Sequence, residues 1–303
     1  LDNTIVRELV DAGVHFGHRC GRWNPKMKPY IFCSRNSIHI INVKETIKGL
    51  LRSKKFLASM VASGKDVLFV GTKRQARQPI VEQSSRCQMP YVSERWLGGT
   101  LTNFATIRKR LVRLEELEDM DEKGLMADQS KKMESTLRRE MRKIKRNLEG
   151  VREMNKLPGA LIIIDARREH LAIAEARKLK IPTICLLDTD SDPDLVDIPI
   201  PGNDDAMRVI GLITSQLTNS ILEGKSEYKA AMETAEATEA TRRARSRRVS
   251  TAQTAEQIKQ GPANPEVAPR TDTPKKTSRE ATSAPTPAEP AGTGGTNQTG
   301  SPE

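Results

Sequence analysis

The chain has 303 residues, of which 50 are Lys or Arg and 39 are Asp or Glu, giving a net charge of +11, and only 36% are apolar. The length suits about two units of ordinary domain size, while the apolar share, below the roughly 45–50% of an average globular domain, means that part of the chain is not expected to pack. No apolar run approaches the ~18–20 residues of a membrane helix, residues 1–11 lack the layout of a secretory signal, and four scattered Cys are too few for a disulfide framework; a membrane protein, a secreted disulfide module and a fully disordered chain are excluded, and a reducing cytoplasm is the expected location.

A short helix is predicted over Ile5–Ala12, followed by a Gly-containing turn at His15-Phe16-Gly17-His18. The stretch Arg19–Tyr30, with two Pro and one Gly, reads as irregular and exposed. Ile38–Ile41 reads as a strand and Thr46–Ala62 as a helix. The continuous apolar runs Val67–Val70, Leu161–Ile164 and Thr183–Leu187 suit strands of a parallel sheet covered on both faces. Helical patterns at Lys73–Arg86, Arg168–Leu179 and Asp204–Leu222 alternate with them, so the fold class is α/β, a doubly wound parallel sheet. Between Phe104 and Met154 the rhythm changes. Phe104, Ile107, Leu111, Leu114 and Leu117, then Leu137, Met141, Ile144, Leu148 and Val151, form two heptad-like seams separated by Asp121–Ser130. Residues 104–156 are therefore expected to be an inserted antiparallel helical (coiled-coil) hairpin projecting from an α/β domain built of 1–103 and 157–225. Residues 226–303 form a C-terminal extension, with an Arg cluster at 242–248 and an Ala/Thr/Ser/Pro/Gly-rich end with little to bury, expected to be largely disordered.

Charge is distributed unevenly. Residues 1–107 hold 17 basic and 7 acidic side chains, net +10, whereas 157–225 hold 7 and 11, net −4. Nine of the ten aromatics also lie in 1–107. A polyanion is the partner such a segment fits, because Lys and Arg release counterions from phosphates. Two clusters interleave cations and rings: Arg22-Trp23-Asn24-Pro25-Lys26-Met27-Lys28-Pro29-Tyr30 and Glu94-Arg95-Trp96-Leu97-Gly98-Gly99. The expected RNA contacts are Arg22, Lys26, Lys28, Arg35, Lys73, Arg74 and Arg95 on phosphates, with Trp23 and Trp96 beside bases or sugars. The alternative for both Trp is a core anchor for its loop. The acidic 157–225 segment is expected to face away from RNA.

Chemistry-bearing motifs are weak by comparison. His15, His18, Cys20, Cys33 and His39 do not follow a zinc-finger or ribbon spacing, so no metal is expected. Val70-Gly71-Thr72-Lys73-Arg74 lacks the length and second Gly of a phosphate loop, although a helix start beside Lys73, Arg74 and Arg77 favours a backbone phosphate. Asp188-Thr189-Asp190-Ser191-Asp192-Pro193-Asp194 ends a strand as in a Mg-dependent phosphotransferase, the rival enzyme reading; Pro193 and Pro199 rule out a calcium loop, and Asp192 departs from the phosphatase pattern. A structural loop with Asp caps fits it better, and Asp204-Asp205 reads as a helix N-terminus. No nucleophile–base set is readable, so neither catalysis nor a cofactor is expected.

Six stretches in order (12–18, Ala-Gly-Val-His-Phe-Gly-His; 22–30; 68–76, Leu-Phe-Val-Gly-Thr-Lys-Arg-Gln-Ala; 95–99; 101–103; and 198–206, Ile-Pro-Ile-Pro-Gly-Asn-Asp-Asp-Ala) closely resemble the bacterial small-subunit ribosomal protein S-two family, over about residues 3–225. The resemblance implies a flavodoxin-like α/β domain with a helical hairpin, bound to small-subunit rRNA, with no enzymatic activity and no membrane role. It further implies other small-subunit proteins as neighbours, including the large multi-OB-fold protein that helps load mRNA, and no homo-oligomer is expected. The chain departs from the family at Thr100, where Met is usual, at Asp190-Ser191, where Asn-Cys is usual, and at the hairpin tip before Lys131-Lys132.

Overall fold

A computed structural model describes residues 3–126 and 130–259, with side chains over 4–126 and 130–234. The chain divides into a compact unit, Leu1–Ala244, and a second, Arg245–Glu303. In the first, the helices are α1 (Asn3–Ala12), α2 (Val43–Ala62), α3 (Arg74–Cys87), α4 (Phe104–Glu122), α5 (Lys131–Leu148), α6 (His170–Leu179) and the start of α7 (Met207–Lys259). The strands are β1 (Phe16–Arg19), β2 (Ile31–Arg35), β3 (Ile38–Ile41), β4 (Val67–Val70), β5 (Tyr91–Val92), β6 (Ala160–Ile164), β7 (Thr183–Leu187) and β8 (Ile198–Pro201).

The main sheet is parallel, in the order β5-β4-β6-β7-β8. Counted from β4 this is 2-1-3-4-5, the flavodoxin-like winding. Its three central strands are buried at every position. Successive side chains of a strand point to opposite faces, and the core separates accordingly. Leu68, Val70, Leu161, Ile163, Cys185 and Leu187 join one apolar cluster with α4, α5 and α6. Val67, Phe69, Ile162, Ile164, Ile184 and Leu186 join the other with α1, α2, α3 and α7. Both clusters are continuous because these strands are apolar on both faces except at Thr183, which opens β7 and donates its N–H and hydroxyl to Asp197.

The edges explain what sequence patterning misses. β8 is Ile-Pro-Ile-Pro and pairs only with β7; proline has no N–H to give, so it is confined to an edge. α2 lies directly on β8 at Gly49, where a Cβ would come 2.5 Å from the Pro199 carbonyl. β5 is two residues long. A second sheet, antiparallel and ordered β1-β3-β2, flanks the stretch read as irregular and shares only Arg19 with it. Its β2–β3 turn places Asn36 and Ser37 at φ 52° and 58°, the type I′ geometry of a two-residue hairpin. Within that stretch Pro25–Tyr30 form a 3-10 helix, capped by the Asn24 side chain.

α4 and α5 bury Ile107, Leu111, Leu114 and Leu117 against Leu137, Ile144 and Leu148, the residues of the two predicted seams. Glu118 holds both Lys145 and Arg152 (2.9 and 2.8 Å) across the pair, and Asp121 meets Arg138 at 3.7 Å. Gly124 turns the chain at φ +72°, and Ser130 caps α5. The tip motif before Lys131 falls on residues 127–129, outside the described residues. α7 does not stop near residue 225: it runs on, with the Tyr228 ring against Gly64. The Arg cluster at 242–248 has no described side chains, and 260–303 lie outside the described residues.

Candidate RNA interface and the filled ligand crest

Doubly wound sheets bind ligands outside the carboxyl ends of their strands. Here those ends carry Thr72 and Lys73 after β4, Asp165 after β6, Asp188 after β7, and Asp204 and Asp205 after β8. Four features fill this crest from within.

Lys73 places its ammonium 2.7 Å from Asp204, 2.6 Å from Asp205 and 3.7 Å from Asp165, and its side chain is only 13% exposed. Burial works against its charge, but the carboxylates outweigh burial and hold its pKa above the ordinary lysine value. Burial and the neighbouring Asp165 push Asp204 up to about 7, against the pull of Lys73. Asp204 and Asp205 lie in the turn just before α7, which starts at Met207; Asn203 closes that turn, accepting from the N–H groups of Asp205 and Ala206.

His18 sits with Nδ1 2.7 Å from Asp188, while its backbone N–H donates to Asp188 and to the Thr189 hydroxyl. The Asp188 hydrogen bond, opposed by burial, raises the imidazole to about 9. Asp188 is 1% exposed, so no oxygen of it faces a phosphoester as the rival enzyme reading requires. Among the described residues, His18 converges with Asp188 and Asp204, one ligand atom each within 4.8 Å, and not with Cys20 or Cys33. Lys73 and protonated His18 already supply positive charge to these carboxylates.

The remaining two features come from α6 and the residue before it. Glu169, 2% exposed, accepts from the Thr72 N–H at 2.8 Å and the Thr72 hydroxyl at 2.6 Å. Burial raises its pKa, and the Thr72 bonds only partly offset that. The turn that resembled a phosphate loop therefore holds a carboxylate of its own. Glu175, 8% exposed, receives five donors: the Trp96 indole N–H (3.1 Å), the Gly99, Leu101 and Thr102 N–H groups (2.8, 3.0 and 3.1 Å) and the Thr102 hydroxyl (3.2 Å). Burial pushes this carboxyl up, but the donors from Thr102, Gly99, Trp96 and Leu101 outweigh it and hold the pKa below the ordinary value. Nothing local marks Glu169 or Glu175 in the sequence; the strongest hint is that they are the only acidic residues of the segment 167–180, whose other charged residues are Arg167, Arg168, Arg177, Lys178 and Lys180.

The predicted RNA contacts divide accordingly. Arg22, Lys28, Arg35, Arg74 and Arg95 are exposed, with no side-chain partner among the described residues. Lys26 is exposed but holds Asp192 and Asp194, each at 2.8 Å, which raises its pKa. Lys73 is an internal cation. Trp96 is 6% exposed and anchors its loop to Glu175, so it offers no ring face for stacking. Trp23 is 38% exposed, tilted against His39 at 5.3 Å. The acidic segment does not form a separate face. Its Asp188, Asp192 and Asp204 neutralise N-terminal cations, and its Arg167 and His170 line one groove with Arg22 and Trp23.

Among the described residues, no helix is long and apolar enough to cross a membrane. Fold and crest define a structural α/β protein with exposed cations, in which the loops after β4 and β5 are filled by the chain's own carboxylates. A protein-family model described as Ribosomal protein S2 matches residues 9–224. The small ribosomal subunit protein uS2 of Rhodopirellula baltica is 55% identical over 227 residues, covering 75% of this chain and 87% of that protein. Those of Mycobacteroides abscessus and Endomicrobium trichonymphae are 51% and 50% identical, covering 72% and 75% of this chain and 79% and 93% of theirs. The chain belongs to the ribosomal protein S2 family, whose members are structural proteins and not enzymes.

Proposed function

We propose that the protein is a structural constituent of the small ribosomal subunit that docks its N-terminal cations on small-subunit rRNA. The observation that carries this is the set of exposed, internally unpaired arginines and lysine (Arg22, Lys28, Arg35, Arg74 and Arg95) on a chain that is 50–55% identical, over 72–75% of its length, to three small-subunit proteins. Phosphate contacts fix position on a folded RNA without reading sequence, which suits a scaffold protein. Lys73 and Trp96 support this surface from beneath, Lys26 is exposed on it but paired with Asp192 and Asp194, and Trp23 belongs to it.

In this reading residues 1–103 and 157–225 form the RNA-docking body. Residues 104–156 form an arm towards protein neighbours, and 226–303 an extension. The large multi-OB-fold mRNA-binding protein is one such neighbour. The protein acts as one copy per subunit in the cytoplasm, without a membrane, metal or cofactor. Tagged protein is expected to sediment with small subunits and to leave them in high salt. Changing Arg22, Arg35 and Arg95 together to Glu is expected to abolish co-sedimentation and to lower the salt slope of RNA binding by about one per lost phosphate contact. Unchanged incorporation of that variant refutes the proposal.

A further inference from the structure

One part of the crest is not filled. Between the Gly21–Pro25 turn and the loops after β6 and β7 lies an open groove of about 720 Å³. Arg22, Arg167, His170 and Asp190 line it with polar groups, and Trp23, Ala166 and Leu195 contribute apolar lining. The volume falls within the roughly 300–1,000 Å³ of small-ligand sites, and the groove opens at the carboxyl ends of β6 and β7, beside the β4/β6 switch point.

We propose that this groove receives one unpaired nucleotide of the RNA, its base against the Trp23 ring and its phosphate between Arg22 and Arg167. The proposal rests on the RNA-docking reading above and adds the form of RNA recognised. Three observations favour a nucleotide. Trp23 is the exposed member of the two tryptophans, at 38% against 6%, and His39 supports it through a ring contact, which holds the indole in place for stacking. Arg22 is exposed and without an internal partner, available to an anion. The groove's carboxylates do not repel one: Asp190 is held by Arg167 at 3.0 Å and Asp192 by Lys26 at 2.8 Å. A duplex offers neither a splayed base nor a free base face, so the groove selects single-stranded, looped or bulged RNA.

The test titrates the full-length protein with a six-nucleotide single-stranded RNA and with a blunt duplex of the same sequence, following tryptophan emission and binding at two salt concentrations. The single strand is expected to quench the emission and the duplex not. Trp23→Leu is expected to weaken single-strand binding roughly tenfold or more, while Trp23→Phe, which keeps a ring, retains most of it. Unfolding curves for both variants separate stacking from folding. Equal single-strand binding by wild type and by a folded Trp23→Leu overturns the nucleotide groove and leaves the docking reading standing. Absence of salt-dependent binding to either RNA overturns both.

Discussion

Glu175→Gln removes one charge and replaces one oxygen by an NH2 group without changing the side chain's size. If the NH2 takes the Oε1 place, the Trp96 indole and the Gly99 N–H lose their acceptor; if it takes the Oε2 place, the N–H groups of Leu101 and Thr102 and the Thr102 hydroxyl lose theirs. Either way at least two donors in a site 8% exposed are left facing a donor. A buried donor left unsatisfied costs about 1–3 kcal/mol, so the substitution is expected to cost roughly 3–5 kcal/mol. For a body of this size that is a fall of about 10 °C in Tm, at roughly 2–4 °C per kcal/mol. Denaturant and thermal unfolding followed by circular dichroism measure it, and Trp96 emission, read in a Trp23→Phe background, reports the loop directly. The pH dependence has a definite sign. A carboxyl held below its ordinary pKa stabilises the fold above its unfolded value, near 4.3, and that contribution is lost as pH falls through the lowered folded value. Wild type and variant should therefore converge in acid. A loss below about 1 kcal/mol at neutral pH, or no acid convergence, refutes the anchoring role of Glu175.

His18, raised from 6.5 to about 9, stabilises the fold fully below pH 6.5 and loses that contribution as pH rises through 9; the stability difference from His18→Gln should shrink by up to about 3 kcal/mol between pH 6 and 10, measured by urea unfolding. Lys73→Met should cost about 3–5 kcal/mol by leaving Asp204, 1% exposed, without its cation; adding Asp204→Asn should recover part of the loss, and the salt slope of RNA binding should stay as in wild type. Gly49→Ala should cost about 1–3 kcal/mol by forcing α2 off β8, seen as a lower unfolding midpoint, whereas Gly211→Ala, with open space at its Cβ, should not destabilise.

The central strands were legible because each is apolar on both faces, and such a run has few other places to go than the middle of a parallel sheet. The helical seams were legible because Leu111, Leu114 and Leu117 recur at helical spacing. β8 was not, since two prolines in four residues argue against a strand until an edge is known to exist. Nor were β1 and β2, whose Phe16, Phe32 and Cys33 remain exposed and so give no alternation to read. The site was legible as charge and not as geometry. Arg22 and Trp23 stand out by composition. That Lys73 faces inward depends on Asp204, 131 positions away, and that His18 is protonated depends on Asp188, 170 positions away. Such pairings are created by the winding of the sheet, and no local pattern carries them.

The two carboxylates that fill the loops at Thr72 and at Gly99–Thr102 have a consequence for regulation. A resident anion tied to the same polypeptide competes at a very high local concentration and never diffuses off, so no metabolite level in the cell can displace it. At these two loops, the positions that elsewhere hold nucleotides and phosphorylated compounds are permanently occupied. The body presented to the ribosome consequently keeps one shape whatever the cell's energetic state.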